Sequence, residues 1–180
     1  MSIDLGLLIL RVVVGLLFIG HGTQKLFGWF GGYGFGATSS AFGSMMGLRP
    51  ASFWTLMAGV SEAGGGLLLA LGLLNPLGSI GITAAMLMAI VTMHWPRLWA
   101  ANNGIELPLV YAVAATTVAL AGTGAYALDA ALGIQLPMPA TWVAGLVLVV
   151  LGTVTALGTA QRPQPAVAAV PGEATSSQAA

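Results

Sequence analysis

Long apolar runs set off by short polar breaks dominate this chain, a pattern of membrane-crossing helices. The first run extends from Leu5 to about Phe27, is interrupted by Arg11, and carries His21-Gly22-Thr23-Gln24-Lys25 in its last third. The second, Phe53 to Leu74, is 22 residues long, holds one acid, Glu62, near its middle, and ends at Asn75-Pro76. A third runs from about Gly78 to Trp95, where Pro96 stops it, and the very short turn before it makes the second and third helices antiparallel neighbours. The fourth starts near Leu107 and reaches Gly122 or Tyr126, a marginal length, and the fifth, Thr141 to Leu157, carries no charge. A helix rises 1.5 Å per residue and a bilayer core is about 30 Å thick, so each run is of the order needed to span. The expected fold is an all-α transmembrane helical bundle.

The intervening stretches read differently. From Gly28 to Pro50, glycines and scattered aromatics argue against a regular crossing helix and suit a re-entrant or interfacial segment at headgroup level. Arg97 to Glu106 is a polar connection, and the loop before the fifth run contains Asp129 and two prolines. From Gln161 onward, proline, alanine and serine predominate, so residues 161–180 are expected to be a disordered tail. The amino-terminal run lacks a preceding Lys or Arg and a clean small-x-small site, so it is expected to be retained as a helix.

Composition sharpens the class. Of 180 residues, 57% are hydrophobic and 6% charged, too few charges to cover a soluble surface. Mean hydropathy is +0.93. Five basic and five acidic residues balance, which speaks against nucleic-acid binding. With no cysteine, thiolate metal sites, disulfide exchange, Cys-ligated iron–sulfur clusters and CxxCH haem attachment are excluded within the chain, and no metal is expected. Redox work would need a non-covalent cofactor, a membrane substrate or a partner subunit. With five crossings, Lys25, Arg49, Arg97 and Arg162 fall on one side, which predicts the amino terminus outside and the carboxyl terminus in the cytoplasm of a plasma-membrane protein.

The polar residues inside the runs carry the chemistry. An unpaired carboxylate in the bilayer core costs at least about 2.5 kcal/mol, so Glu62 requires a partner from a neighbouring helix. Counting residues places Arg11 about 9 Å, Glu62 about 18 Å, and His21 and His94 about 24 Å from the outer face, with Lys25 near the inner boundary. The expected arrangement is a polar seam in which Glu62 lies between Arg11 and His21. An Arg11–Glu62 ion pair or a His21 hydrogen bond would hold the acid. Each member also has a plainer role: Arg11–Glu62 as a registry clasp, His94 as an interfacial cap, Lys25 as a snorkelling anchor, Glu106 as a helix-start acid. Met86 and Met88 read as packing residues. Gly59, Gly64-Gly65-Gly66 and Gly72, with Gly15 and Gly20, permit close helix approach or leave room for a flat ligand.

These residues resemble the DoxX family of small bacterial membrane proteins. The carrying pieces are RVVVGLLFIGHGTQKL at 11–26, LMAGVSEAGGGLLLALGLLNP at 56–76, HW at 94, NGIELPL at 103–109 and the GTGAYALD run ending at Asp129, together covering about Leu5 to Leu132. The resemblance implies a four-helix membrane domain over residues 1–132, with residues 133–160 as an additional transmembrane segment. Members are linked to a thiosulfate:quinone oxidoreductase subunit in some archaea. In mycobacteria and relatives, a similar protein is associated with a membrane oxidoreductase complex containing superoxide dismutase and a sulfurtransferase. The absence of cysteine here assigns any sulfur step to such a partner.

Three readings stay open. In the first, the chain supports membrane redox chemistry: Glu62, His21 and His94 hydrogen-bond a quinone or move protons, while Arg11, Lys25 and Glu106 bind it. In the second, the seam only fixes the bundle, and the loop 28–50 recruits a soluble oxidoreductase or sulfurtransferase. In the third, the ionisable residues line a small-solute or proton pathway.

Overall fold

The computed structural model describes residues 2–161 and is all-α. Among the described residues seven α-helices follow in order: α1 Ser2–Phe27, α2 Gly34–Met45, α3 Ala51–Leu71, α4 Leu77–Ala89, α5 Glu106–Ala121, α6 Leu128–Leu132 and α7 Ala140–Gly158. Four helical stretches are long and apolar enough to cross a membrane: α1, α3, α7 and Leu77–His94, which joins α4 to the turn after it. The protein is therefore a multi-pass helical membrane protein. At 16 residues, α5 spans only about 24 Å, whereas α7 begins and ends within a residue of the fifth apolar run read from the sequence. Most of the expected tail, with Arg162, lies outside the described residues.

Glycine spacing sets how the first helices pack. Lipid tails are as apolar as leucine, so helices in a bilayer associate through close contact, not through exclusion of water. The largest interface in the bundle, α1 against α3, is built that way. A Cβ on Gly15 would stand 2.5 Å from the Gly66 carbonyl oxygen, and one on Gly22 would stand 2.4 Å from the Ala63 nitrogen and 2.6 Å from the Gly59 oxygen. The order of these contacts makes the two helices antiparallel. On its other side Gly65 meets α4, where Gly78 would bring a Cβ to 2.8 Å of the Gly65 oxygen. Gly20 and Gly64, which the sequence placed in the same class, face open space.

A central core of Val14, Phe18, Leu69, Ile82, Ala85, Met86, Ala115 and Val118 joins α1, α3, α4 and α5. α7 packs along α4 from outside this core, pinned where Gly145 meets the Ile80 side chain. Residues 28–50, expected to be interfacial, contain a single 3₁₀ turn, Trp29–Gly31, and the short helix α2, which lies against α3. The carboxyl end of α7 returns to this segment: the Gln161 amide donates to the Gly47 carbonyl at 2.8 Å.

At the opposite end, Arg11 ties three elements together. Its guanidinium donates to the Ala70 carbonyl at 2.7 Å and to the Tyr126 carbonyl, and the residue is 1% exposed. Ala70 lies in the last turn of α3, where orphan carbonyls and the negative end of the helix dipole favour a cation. The expected Arg11–Glu62 ion pair is thus replaced by a helix cap. Glycine contacts fix the reason: Gly15 sits against Gly66 and Ala70, so Arg11, one turn before Gly15, reaches the end of α3 and not its middle. Asp129 completes this knot by accepting the Leu74 and Asn75 amides, both at 2.8 Å.

Candidate functional site

Glu62, in the middle of α3, is buried, 5% exposed, and its partner comes from α1. The Lys25 ammonium lies 2.5 Å from Glu62 Oε2. Gly22 packs on Gly59 and Ala63, and Gly59 on Leu26, so Lys25 leaves α1 about one turn past the level of Glu62 and its side chain, tilted back toward the start of α1, reaches the acid. A four-carbon stem then carries the charge to the acid while the stem itself stays in apolar surroundings. The lysine side chain keeps 26% of its surface exposed and the carboxylate 7%, so the pair is desolvated mainly on the acid side. Sequence reasoning found the acid and its need for a partner but assigned Lys25 to the boundary. Gly15 and Gly22 have the same spacing as Gly59 and Gly66, and superposing those spacings in antiparallel order gives the register of the two helices; it leaves Lys25 past the level of Glu62, so the pair also needs the length and backward tilt of the lysine stem.

The ion pair lines a cavity of about 1120 Å³ whose walls are otherwise almost wholly apolar. Lys25, Glu62, His21 and His94 all face it, so four of the six site residues expected from sequence come together on one cavity. His21 lies one turn before Lys25 and stacks edge-on to Phe18, ring centroids 6.2 Å apart; Phe18 in turn meets Tyr111 of α5 at 5.3 Å. Tyr111, which the sequence did not single out, also lines the cavity and brings a hydroxyl to its α5 wall. Arg11 and Glu106 lie outside the lining. Glu106 Oε2 instead accepts the Ala100 amide at 2.8 Å, closing the loop that precedes α5.

His94 is positioned by an irregular turn. Residues Ile90–His94 form a π-helical turn, with the Trp95 amide donating to the Ile90 carbonyl at 2.9 Å. The residue before a proline favours extended backbone, and Trp95 adopts it ahead of Pro96, so the helix must end here. Widening the last turn satisfies the carbonyls while swinging His94 across to the α5 side, where its Nδ1 meets the Asn103 carbonyl at 2.9 Å. That contact requires a proton on Nδ1, which makes Nε2 an acceptor when the ring is neutral.

A buried carboxylate, a lysine and two imidazoles thus share the wall of a large apolar cavity in a multi-pass membrane helical bundle, and that is the class of protein the fold defines. The chain belongs to the DoxX family, whose model matches residues 6–95. That match covers α1 to the π turn and so contains Lys25, Glu62, His21 and His94, while α5 and α7 lie beyond it. No match is found among curated proteins, and none among solved structures.

Proposed function

We propose that the protein is a membrane subunit that binds a quinone in this cavity and supports redox chemistry carried out with a soluble oxidoreductase. The observation that carries this reading is the Lys25–Glu62 ion pair on the wall of the 1120 Å³ apolar cavity. The fit is chemical: an apolar enclosure accepts a ring and its substituents, and the few polar groups hold its two oxygens. A quinone supplies two-electron, two-proton chemistry, with the electrons coming from the partner's reductant. Within this chain, Lys25 donates a hydrogen bond to one ligand oxygen and stabilises negative charge there, while Glu62 holds the ammonium in place. His21 and His94 hold and pass protons between the cavity and the end of the bundle formed by residues 28–50 and 95–105. Arg11 and Glu106 act through the fold, as helix cap and loop clasp.

The same reading gives the chain five crossings, α1, α3, α4 with its π turn, α5 and α7, in a plasma membrane with the amino terminus outside. Lys25, Arg49 and Arg97 all lie at the end proposed to be cytoplasmic. It divides the chain into the four-helix domain 1–132 and the added segment 133–160. The test is extraction and chromatography of quinone from protein purified in nanodiscs. Wild-type protein is expected to retain quinone, and Glu62→Gln and Lys25→Met to lose most of it; absence of quinone from the wild type overturns the reading. A scaffold role has one observation in its favour: Trp29, Phe30 and Tyr33 are 58%, 74% and 86% exposed on the segment 28–50. Partner capture that survives Glu62→Gln but fails on replacing those three aromatics would favour it.

A further inference from the structure

The cavity is larger than its polar end requires, and the excess has a direction. Away from Lys25 and Glu62 it continues as a crevice between α3, α4 and α7. On α4 the wall is Ile80, Ala84 and Met88, four residues apart and so on one face; on α7 it includes Ala144, Leu148 and Gly152 with the same spacing. From Ala144 to Gly152 the crevice follows α7 for about 12 Å along the helix axis. It meets the polar end at α3, where Ser61 lines the cavity next to Glu62.

Two glycines show how the crevice is kept open. At Gly145 a Cβ would come within 2.2 Å of Ile80, so α7 is pressed on α4 there. Two turns further, Gly152 lines the cavity, yet a Cβ on it would meet nothing within 4 Å. Val149, Thr153 and Ala156 continue the buried face of α7 beyond Gly145, so the crevice runs beside that face, along the flank that carries Ala144, Leu148 and Gly152. Leu148, between the two glycines, is 69% exposed, which leaves the crevice open sideways toward the acyl chains. Met57 and Met88 add unbranched, adaptable side chains to the walls, suited to a flexible occupant.

We infer that this crevice holds the apolar tail of the same molecule whose polar ring sits at Lys25 and Glu62, so that the site selects a long-tailed lipophilic ring over its tailless counterpart. The inference rests on the quinone reading above and adds the tail subsite, formed with α7. Because the bilayer is already apolar, the tail gains packing in the crevice and little from leaving its surroundings, so a preference of about tenfold is expected, not one of many orders.

The experiment measures binding to the full chain in nanodiscs by quenching of tryptophan fluorescence, Trp54 being on the cavity wall. The probes are a dimethoxy-methyl-benzoquinone bearing a decyl tail and the same ring without one, each referred to its concentration in the lipid. Wild-type protein is expected to prefer the tailed probe about tenfold. Gly152→Phe and, independently, Ala144→Phe fill the crevice and are expected to abolish that preference. Gly158→Phe, on the same helix but off the cavity, controls for surface change. Equal binding of the two probes by wild type, or a preference that survives both crevice variants, overturns the tail subsite alone. If neither probe binds wild-type protein, the quinone reading falls with it.

Discussion

Lys25 and Glu62 are each tolerable in the bundle because of the other. Removing one partner strands a charge in a low-dielectric site, whereas replacing both with apolar groups removes the desolvation cost along with the attraction. With the lysine partly exposed, Lys25→Met is expected to destabilise the protein by about 2 kcal/mol, and the double variant Lys25→Met/Glu62→Leu to recover most of that loss. Thermal unfolding in a mild detergent, followed by intrinsic fluorescence, reads both; a double variant no more stable than Lys25→Met would contradict the desolvation account. Arg11 makes the opposite case. Its two carbonyl acceptors belong to different elements, and a lysine has no planar fork with which to reach both. Gly72 lies beneath it with φ 62, and a Cβ there would stand 2.6 Å from Arg11 Nη1. Gly72→Ala is therefore expected to cost about 2 kcal/mol, combining left-handed strain with displacement of the cap. An unchanged melting temperature for Gly72→Ala would remove Arg11 from the list of residues that hold the end of α3.

At the scale of helices, the α1–α3 interface depends on backbone approach. Gly15→Val and Gly22→Val each drive a side chain into the backbone of α3, and the expected outcome is loss of the monodisperse folded species on gel filtration. Gly20→Ala and Gly64→Ala, at positions facing open space, are expected to leave it intact. All four glycines look alike in the sequence, which explains what could and could not be read there. Run length and apolarity made the helices legible, since 20 residues without charge have few other uses. The burial of Glu62 was legible for the same reason. Its partner was not, because equal depth counted from the ends ignores register, and register here is set by which glycines meet. The π turn at His94 was announced only as a stop at Pro96, and the crevice beside α7 depends on which flank of that helix its neighbours leave uncovered, a tertiary property with no local signature.

For the whole molecule, orientation and crossing number are decided together, and the lack of cysteine provides a direct means. A single introduced thiol is then the only one in the chain. Asn102 and Ala130 are exposed and lie in the segments before and after α5, and Gly158 is exposed at the end of α7. If α5 crosses, Asn102 and Ala130 lie on opposite sides even though that helix covers only about 24 Å; a short span is accommodated by local bilayer thinning at a modest cost. If α7 crosses too, Gly158 lies on the side of Asn102. Basic residues gather at the end of the bundle that carries Asn102, and since Lys and Arg are enriched in cytoplasmic loops the proposed orientation puts that end in the cytoplasm. In intact cells a membrane-impermeant maleimide is therefore expected to label Ala130→Cys, and to label Asn102→Cys and Gly158→Cys only after permeabilisation. Labelling of Asn102→Cys and Ala130→Cys from the same side would show α5 to be a half-helix that leaves the membrane where it entered. Reversal of the whole pattern would place Lys25 and Glu62 near the outer face and require their protons to come from outside the cell.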